Sequence, residues 1–360
     1  RSPASHECET HRGDKMLASG VAPNSTTATG GGVTLVAGAT GVIGRFVAEA
    51  SAAGGVTTYV LRRPGPTTPS KEATLRALQQ LGAVIVEGSA NDREFMEKTL
   101  RELGIEVVIS VLGGPNLVDQ FPLIEAVQAA GTVKRFLPSE FGNDVERANP
   151  VEPGKRVYEV KRKVRRAIEA AHIPYTYICC NSIAGWPYYD NSHPSEVSPP
   201  LDRLPIYGNG DVKAYFVAGC DIGKFTVMAA HDARTLNKTV HFRPRCNFFT
   251  MNELACLWEK KIGRTLPRVT VPEEELLAAA AENRIPQSFV ASFTHDVYIK
   301  GCQLGYPIDI GGRDVEVTAL FPHVPFRTME ACFEDFAAGV RCESGTETAP
   351  VPEKMPAPNN

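Results

Sequence analysis

The chain has 360 residues, 43% hydrophobic and 22% charged, with 38 Lys+Arg against 41 Asp+Glu and a formal charge of −3. That is enough apolar material for a sizeable core, and the balanced charge gives no global case for nucleic acid or an acidic membrane surface. Nine cysteines lie scattered without CxxC spacing or a matching histidine pair, so neither a disulfide framework nor a metal site is expected. No apolar run approaches the roughly twenty residues of a membrane span, and a cytoplasmic protein without one is the expectation.

Residues 1–32 are rich in Ser, Thr, Gly and Ala without periodicity and are expected to be a disordered tail. Residues 33–37 form a short apolar run that enters Gly38-Ala39-Thr40-Gly41-Val42-Ile43-Gly44 and then a helical stretch. Strand, glycine turn and helix in that order suit a dinucleotide, whose pyrophosphate must approach the main chain at the positive helix end. The spacing of the three glycines departs from the usual G-x-G-x-x-G, so the order of elements carries the reading. The next apolar run, residues 57–61, ends in Arg62-Arg63 where an NAD-binding protein would carry an acid; a cation there suits a 2′-phosphate and favours NADP. After the loop 64–70, Ser70-Lys71-Glu72 opens a helix, and Lys71 is within reach of the same phosphate.

Strand 83–87, helix 93–103, strand 107–112 running into Gly113-Gly114, helix 120–130 and strand 135–138 continue the alternation. This predicts an α/β fold with a parallel, doubly wound sheet, and a site beyond the carboxyl ends of its strands. From about residue 183 the alternation stops: an Asn-Gly signal predicts a hairpin across 206–216, and helices are expected near 222–231, 251–262 and 273–281. The expected division is a dinucleotide-binding domain over 33–182, a smaller substrate-binding domain over 183–342 and a disordered tail over 343–360.

Residues 157–171 predict a helix with Val157, Val160, Val164, Ala167, Ile168 and Ala171 on one stripe and Lys161 at its edge, while Arg162, Lys163 and Arg166 face outward. A lysine there, facing the strand ends, would lose hydration and become a base at neutral pH; a lysine with its stem laid along the apolar face is the structural alternative. Tyr158 and Lys161 are three apart, and the fourth position is Arg162, so the Tyr-x-x-x-Lys arrangement of alcohol-oxidising short-chain dehydrogenases is absent.

Three stretches, Arg135-Phe136-Leu137-Pro138-Ser139-Glu140-Phe141-Gly142, Ile178-Cys179-Cys180-Asn181-Ser182-Ile183-Ala184-Gly185-Trp186-Pro187-Tyr188-Tyr189 and Thr294-His295-Asp296, resemble the plant isoflavone reductase-like family of NADPH-dependent phenylpropanoid and flavonoid reductases. The resemblance spans about 33–336, and within the family it is to the branch that acts on flavan-3,4-diols. It implies that Gly38, Thr40, Gly41, Val42, Ile43, Gly44 and Arg62 bind NADPH. Ser139, Glu140, Phe141, Lys161 and Asn181, with Gly113 and Lys71, would complete that site. Val157, Tyr158, Ser182, Ile183 and Trp186 would line the pocket for a flavonoid substrate, with Lys161 as the family base and Tyr158 beside it. One position departs: where the family carries a histidine thought to help the carbon 4 hydroxyl leave, this chain has Asn143, which cannot donate a proton at physiological pH. The implied reaction is reduction of a flavan-3,4-diol to a flavan-3-ol through a quinone methide, with carbon 4 thiol conjugates as further substrates. Reduction of another phenylpropanoid and non-enzymatic NADP sensing are the alternatives. His295 is a further candidate, more simply read as structural.

Overall fold

A computed structural model describes residues 32–189, 198–309 and 311–345; the expected N-terminal tail up to residue 31 and residues 346–360 lie outside the described residues. The first half runs β1 (Thr34–Ala37), α1 (Val42–Ala53), β2 (Thr58–Arg62), α2 (Pro69–Gln80), β3 (Val84–Glu87), α3 (Arg93–Glu102), β4 (Val107–Ser110), α4 (Gln120–Ala130), β5 (Arg135–Leu137), α5 (Gly154–Ala170) and β6 (Thr176–Cys179). The predicted alternation is borne out to within a few residues at each end.

Five of these strands pair in parallel in the order β3-β2-β1-β4-β5, with Thr34 opposite both Thr58 and Val107. A bridge between Phe136 and Tyr175 leads from β5 to β6. The strand order reverses between β1 and β4, which opens a crevice at their carboxyl ends. Strands β1 and β4 are buried throughout, the mark of parallel strands covered on both faces. Their residues divide by alternation: Val36, Val60 and Ile109 pack with Val47, Leu78 and Phe225, while Leu35, Ala37 and Val108 pack with Leu100, Leu123 and Ile168.

The second half comprises β7 (Ser182–Ile183), β8 (Leu204–Tyr207), β9 (Lys213–Val217), α6 (Gly219–His231), β10 (Lys238–His241), β11 (Phe248–Thr250), α7 (Met251–Ile262), β12 (Arg268–Val271), α8 (Glu273–Ala281), α9 (Gln287–Tyr298), β13 (Asp314–Glu316), α10 (Val317–Leu320) and α11 (Met329–Gly345). Strands β10 and β13 lie in parallel beside β6. A separate apolar cluster includes Trp186, Tyr207, Phe216, Trp258 and Phe333. The three predicted helices are α6, α7 and α8.

The predicted hairpin across 206–216 does not form. Strand β8 pairs in parallel with β12, and β9 pairs with β7 and β11. The Asn209-Gly210 turn is present, with positive φ at Gly208 and Gly210. Asn252 at the start of α7 donates to Asn209 O and to Asp211 Oδ1, both at 2.9 Å. Tertiary partners thus override the local turn signal, as they commonly do for strand propensity.

Candidate active site

The glycine turn connects β1 to α1, and each glycine answers a different requirement. Gly38 has φ +89°, and a Cβ there would stand 2.5 Å from Val111 O; at Gly44 it would stand 2.1 Å from Gly38 O. Those two are demanded by the fold. A Cβ at Gly41 would meet only Gly38 O at 3.4 Å, so the protein's own packing does not require glycine there. Gly41 is the N-cap of α1, with no side-chain cap and no acidic residue in the first turn; the helix start is left open to an anion.

A cavity of about 930 Å³ opens at this point. Of the residues expected to hold cofactor, Gly38, Thr40, Gly41, Val42, Ile43, Gly44, Arg62, Lys71, Gly113, Ser139, Glu140, Phe141 and Lys161 all line it. Arg62 sits on its rim with Nη1 2.8 Å from Glu87 Oε2 and Nη2 3.5 Å from Glu72 Oε1, and Arg63 donates to Asn116 Oδ1 at 2.9 Å. An uncapped helix start, a glycine that the fold does not need and a cationic rim fit a dinucleotide with a 2′-phosphate.

A second cavity, of about 360 Å³, is lined by Phe141, Asn143, Val157, Tyr158, Lys161, Asn181, Ser182, Ile183 and Trp186, among others. Every residue expected in the substrate pocket is here. Asn181, expected beside the cofactor, faces this cavity and not the first. Phe141 and Lys161 line both. Phe141 and Asn181 both hold positive φ, 31° and 60°, a backbone cost that recurs where surrounding structure fixes a site. Asn181 accounts for its own: its N–H donates to Gly142 O at 3.0 Å, and its Nδ2 to Phe242 O at 2.8 Å.

Helix α5 brings Lys161 to these cavities and Arg165 to the loop above them. Lys161 is half-buried and donates from Nζ to Glu140 O at 2.6 Å. Lost hydration pulls its pKa below the ordinary lysine value, opposed by Glu140. Arg165 on the same helix is 2% exposed and grips Glu140 through two bonds, Nε at 3.1 Å and Nη2 at 2.7 Å, and Asp144 at 3.1 Å. This fork fixes the 139–144 loop over the helix. Arg162, expected to face outward, turns in and donates to Val145 O at 2.7 Å and Ala148 O at 3.1 Å; Lys163 and Arg166 are exposed as expected.

Asn143 donates from Nδ2 to the Tyr158 hydroxyl at 3.2 Å, and Burial pushes that phenol well above its usual pKa. The Trp186 indole N–H is buried with no acceptor among the described residues. His295 is not part of either cavity lining; it bonds Glu273 Oε1 at 2.9 Å and is structural. Sequence reasoning missed two residues. Arg165, to which the sequence reading gives no role, holds Glu140 and Asp144, and Gln303, from the segment after α9, bonds both Asn143 and Ser182. Neither carries a local signal, because their partners are 14 to 160 positions away. A third unexpected grouping brings Asp144, Cys179 and His241 together within 4.8 Å, but the Arg165 guanidinium already contacts Asp144 and lies 3.9 Å from Cys179 Sγ.

An open parallel sheet with a glycine turn at its switch point defines a dinucleotide-binding protein, and this chain belongs to the NmrA-like family, whose model matches residues 32–333. It is similar to a leucoanthocyanidin reductase of Desmodium uncinatum, 56% identical over 321 residues that cover 89% of this chain and 83% of the relative. A solved binary complex of leucoanthocyanidin reductase with NADPH from Vitis vinifera has 59% identity and a TM-score of 0.82, covering 85% of this chain and all of that one. Phenylcoumaran benzylic ether reductase IRL1 of Ginkgo biloba is 43% identical over 84% of this chain and 98% of its own length.

Proposed function

We propose that this protein is an NADPH-dependent reductase that removes the carbon 4 oxygen of a flavan-3,4-diol to give a flavan-3-ol. The observation that carries the reading is the wall shared by the two cavities: Lys161 and Phe141 face both, so a partly dehydrated amine stands where a flavonoid and a nicotinamide would meet. The leucoanthocyanidin reductase relatives support the substrate class and the cofactor.

The glycine turn would seat the pyrophosphate at the start of α1, and Arg62 and Lys71 the 2′-phosphate. Bound NADPH supplies the hydride that ends at carbon 4. Lys161, in its unprotonated form, takes the proton of a phenol conjugated to that carbon, directly or through a water. Glu140 O holds the Nζ in place while it does so. Val157, Ile183 and Trp186 present apolar and aromatic surface to the flavan rings, and the unpartnered indole N–H of Trp186 suits one of their hydroxyls.

On this reading residues 33–182 hold the cofactor and residues 183–342 complete the substrate side, with a flavonoid as the small-molecule partner. The cytoplasm is the proposed compartment, supported by seven described cysteines that are all free; no helix among the described residues is long and apolar enough to cross a membrane. The test is to mix purified protein, NADPH and a flavan-3,4-diol and follow nicotinamide absorbance together with product. Consumption matched by flavan-3-ol is expected. Binding of NADPH without consumption, on this diol and on its carbon 4 thioether, would sink the reading in favour of a nucleotide sensor.

A further inference from the structure

We propose that the Tyr158 hydroxyl is the proton donor to the leaving carbon 4 oxygen, and that Gln303 is the positioning residue that aims it, acting through Asn143. The proposal rests on the flavan-diol reading above and supplies the acid that Asn143 cannot be.

Amide orientations and hydroxyl protons do not follow from heavy-atom positions alone, but here one end of the chain of hydrogen bonds is fixed by covalent chemistry. The Tyr215 backbone N–H, in β9, can only donate, and it bonds the Gln303 side chain at 2.8 Å. The atom it meets must therefore be Oε1, and the Gln303 NH₂ must face the other way. That Nε2 lies 2.9 Å from Asn143 and 3.1 Å from Ser182 Oγ. The Asn143 atom facing it must accept, so it is Oδ1, and Nδ2 is turned to Tyr158 at 3.2 Å. The Tyr158 oxygen is then an acceptor in its one hydrogen bond to a described residue, and its own proton is committed elsewhere.

That proton has the cavity as its outlet. Tyr158 is 5% exposed and lines the substrate cavity together with Asn143, Lys161 and Ser182. Its ring is stacked on Phe293, with centroids 5.1 Å apart and planes 22° apart, so the hydroxyl is held while the relay sets its direction. Gln303 is itself 1% exposed, with its carbonyl on Tyr215 and its NH₂ on two acceptors. Neither amide can flip without leaving a buried donor facing a donor, an arrangement that buried polar groups avoid.

The step balances. Lys161 takes the proton of the conjugated phenol, electrons move through the ring, the bond from carbon 4 to oxygen breaks, and Tyr158 gives its proton to that oxygen, which leaves as water. The flavan is left as a neutral quinone methide, Lys161 as ammonium and Tyr158 as phenolate. Asn143 Nδ2–H already lies on the oxygen that acquires the charge, where a neutral bond becomes a charge-assisted one. Once carbon 4 is reduced, the substrate oxygen takes back the Lys161 proton, and Tyr158 takes one from solvent. One proton is consumed per turnover.

The test compares kcat for a flavan-3,4-diol and for its carbon 4 thioether, whose leaving group needs far less protonation, in the native protein, Tyr158→Phe and Gln303→Glu. NADPH binding by fluorescence quenching verifies that each variant is folded. Tyr158→Phe is expected to lower diol kcat about a hundred- to ten-thousandfold, and thioether kcat at least tenfold less than that. Gln303→Glu puts a carboxylate, which only accepts, against Asn143. The amide then turns Nδ2 toward residue 303 and Oδ1 toward Tyr158, whose proton is drawn back from the cavity, so the thioether-to-diol ratio is expected to rise at least tenfold with KM little changed. If Gln303→Glu loses NADPH binding, Gln303→Met, which removes the donor without adding charge, takes its place. Equal losses on both substrates in Tyr158→Phe, or undiminished diol turnover, overturn the assignment. If the native protein turns over neither substrate, the flavan-diol reading fails first and the assignment with it.

Discussion

At the scale of single residues, the proposed function makes Lys161, on the wall shared by the two cavities, the base. A base works only when unprotonated, so kcat/KM should climb as pH rises through the Lys161 pKa. Because lost hydration lowers that pKa, the climb should come below the ordinary lysine value of about 10.4. Lys161→Met should cut kcat by about a hundred- to ten-thousandfold and abolish this limb of the pH profile. A pH–rate profile of the native protein that stays flat to the ordinary lysine range would remove Lys161 from the role of base. The Tyr158 phenol, raised by burial, stays protonated across the same window, so the two groups keep opposite duties without exchanging them.

At the scale of elements, the stretch from Gly38 to Gly44 separates folding from binding within seven residues. Gly44→Ala should destabilise the protein by about 2 kcal/mol or more, through overpacking against Gly38 O, visible as a lower midpoint in denaturant. Gly41→Ala should leave the midpoint nearly unchanged, since the added carbon meets only a 3.4 Å neighbour, and should weaken NADPH binding about tenfold or more by occupying the cradle. Equal effects of the two substitutions on stability would remove the distinction. This turn was also the most legible part of the sequence, because strand, glycines and helix are local and in order. Helix α4, expected near 120–130, runs Gln120–Ala130 and ends on Gly131 in the left-handed region. The hairpin across 206–216 was misread because the choice of strand partner is not local. Site residues on the glycine turn and on α5 were legible from motif and resemblance, whereas Gln303 was not. A glutamine 160 positions from its partner has no periodicity or spacing to betray it.

At the scale of the whole molecule, residues distant in sequence hold α5 to the loop above it. Arg165 carries much of this, with Glu140 and Asp144 both buried against it. Arg165→Met would strand two carboxylates without their cation, a change expected to cost about 3–5 kcal/mol. Thermal or denaturant unfolding measures it, and a loss under 1 kcal/mol would mean that the fork does not hold the loop. The Tyr177 ring, 4.5 Å from the guanidinium, extends the same assembly into β6.

The backbone amide that orients Gln303 belongs to β9, whose pairing sets Tyr215 opposite Phe248 and Phe216 opposite Ser182. Successive amides along a strand point to opposite sides, so sliding β9 by one residue would withdraw the Tyr215 N–H from Gln303. The handedness of proton flow in the pocket is therefore inherited from a strand alignment: geometry laid down when the sheet forms is later read out as chemical polarity, without any charged group being needed to specify it.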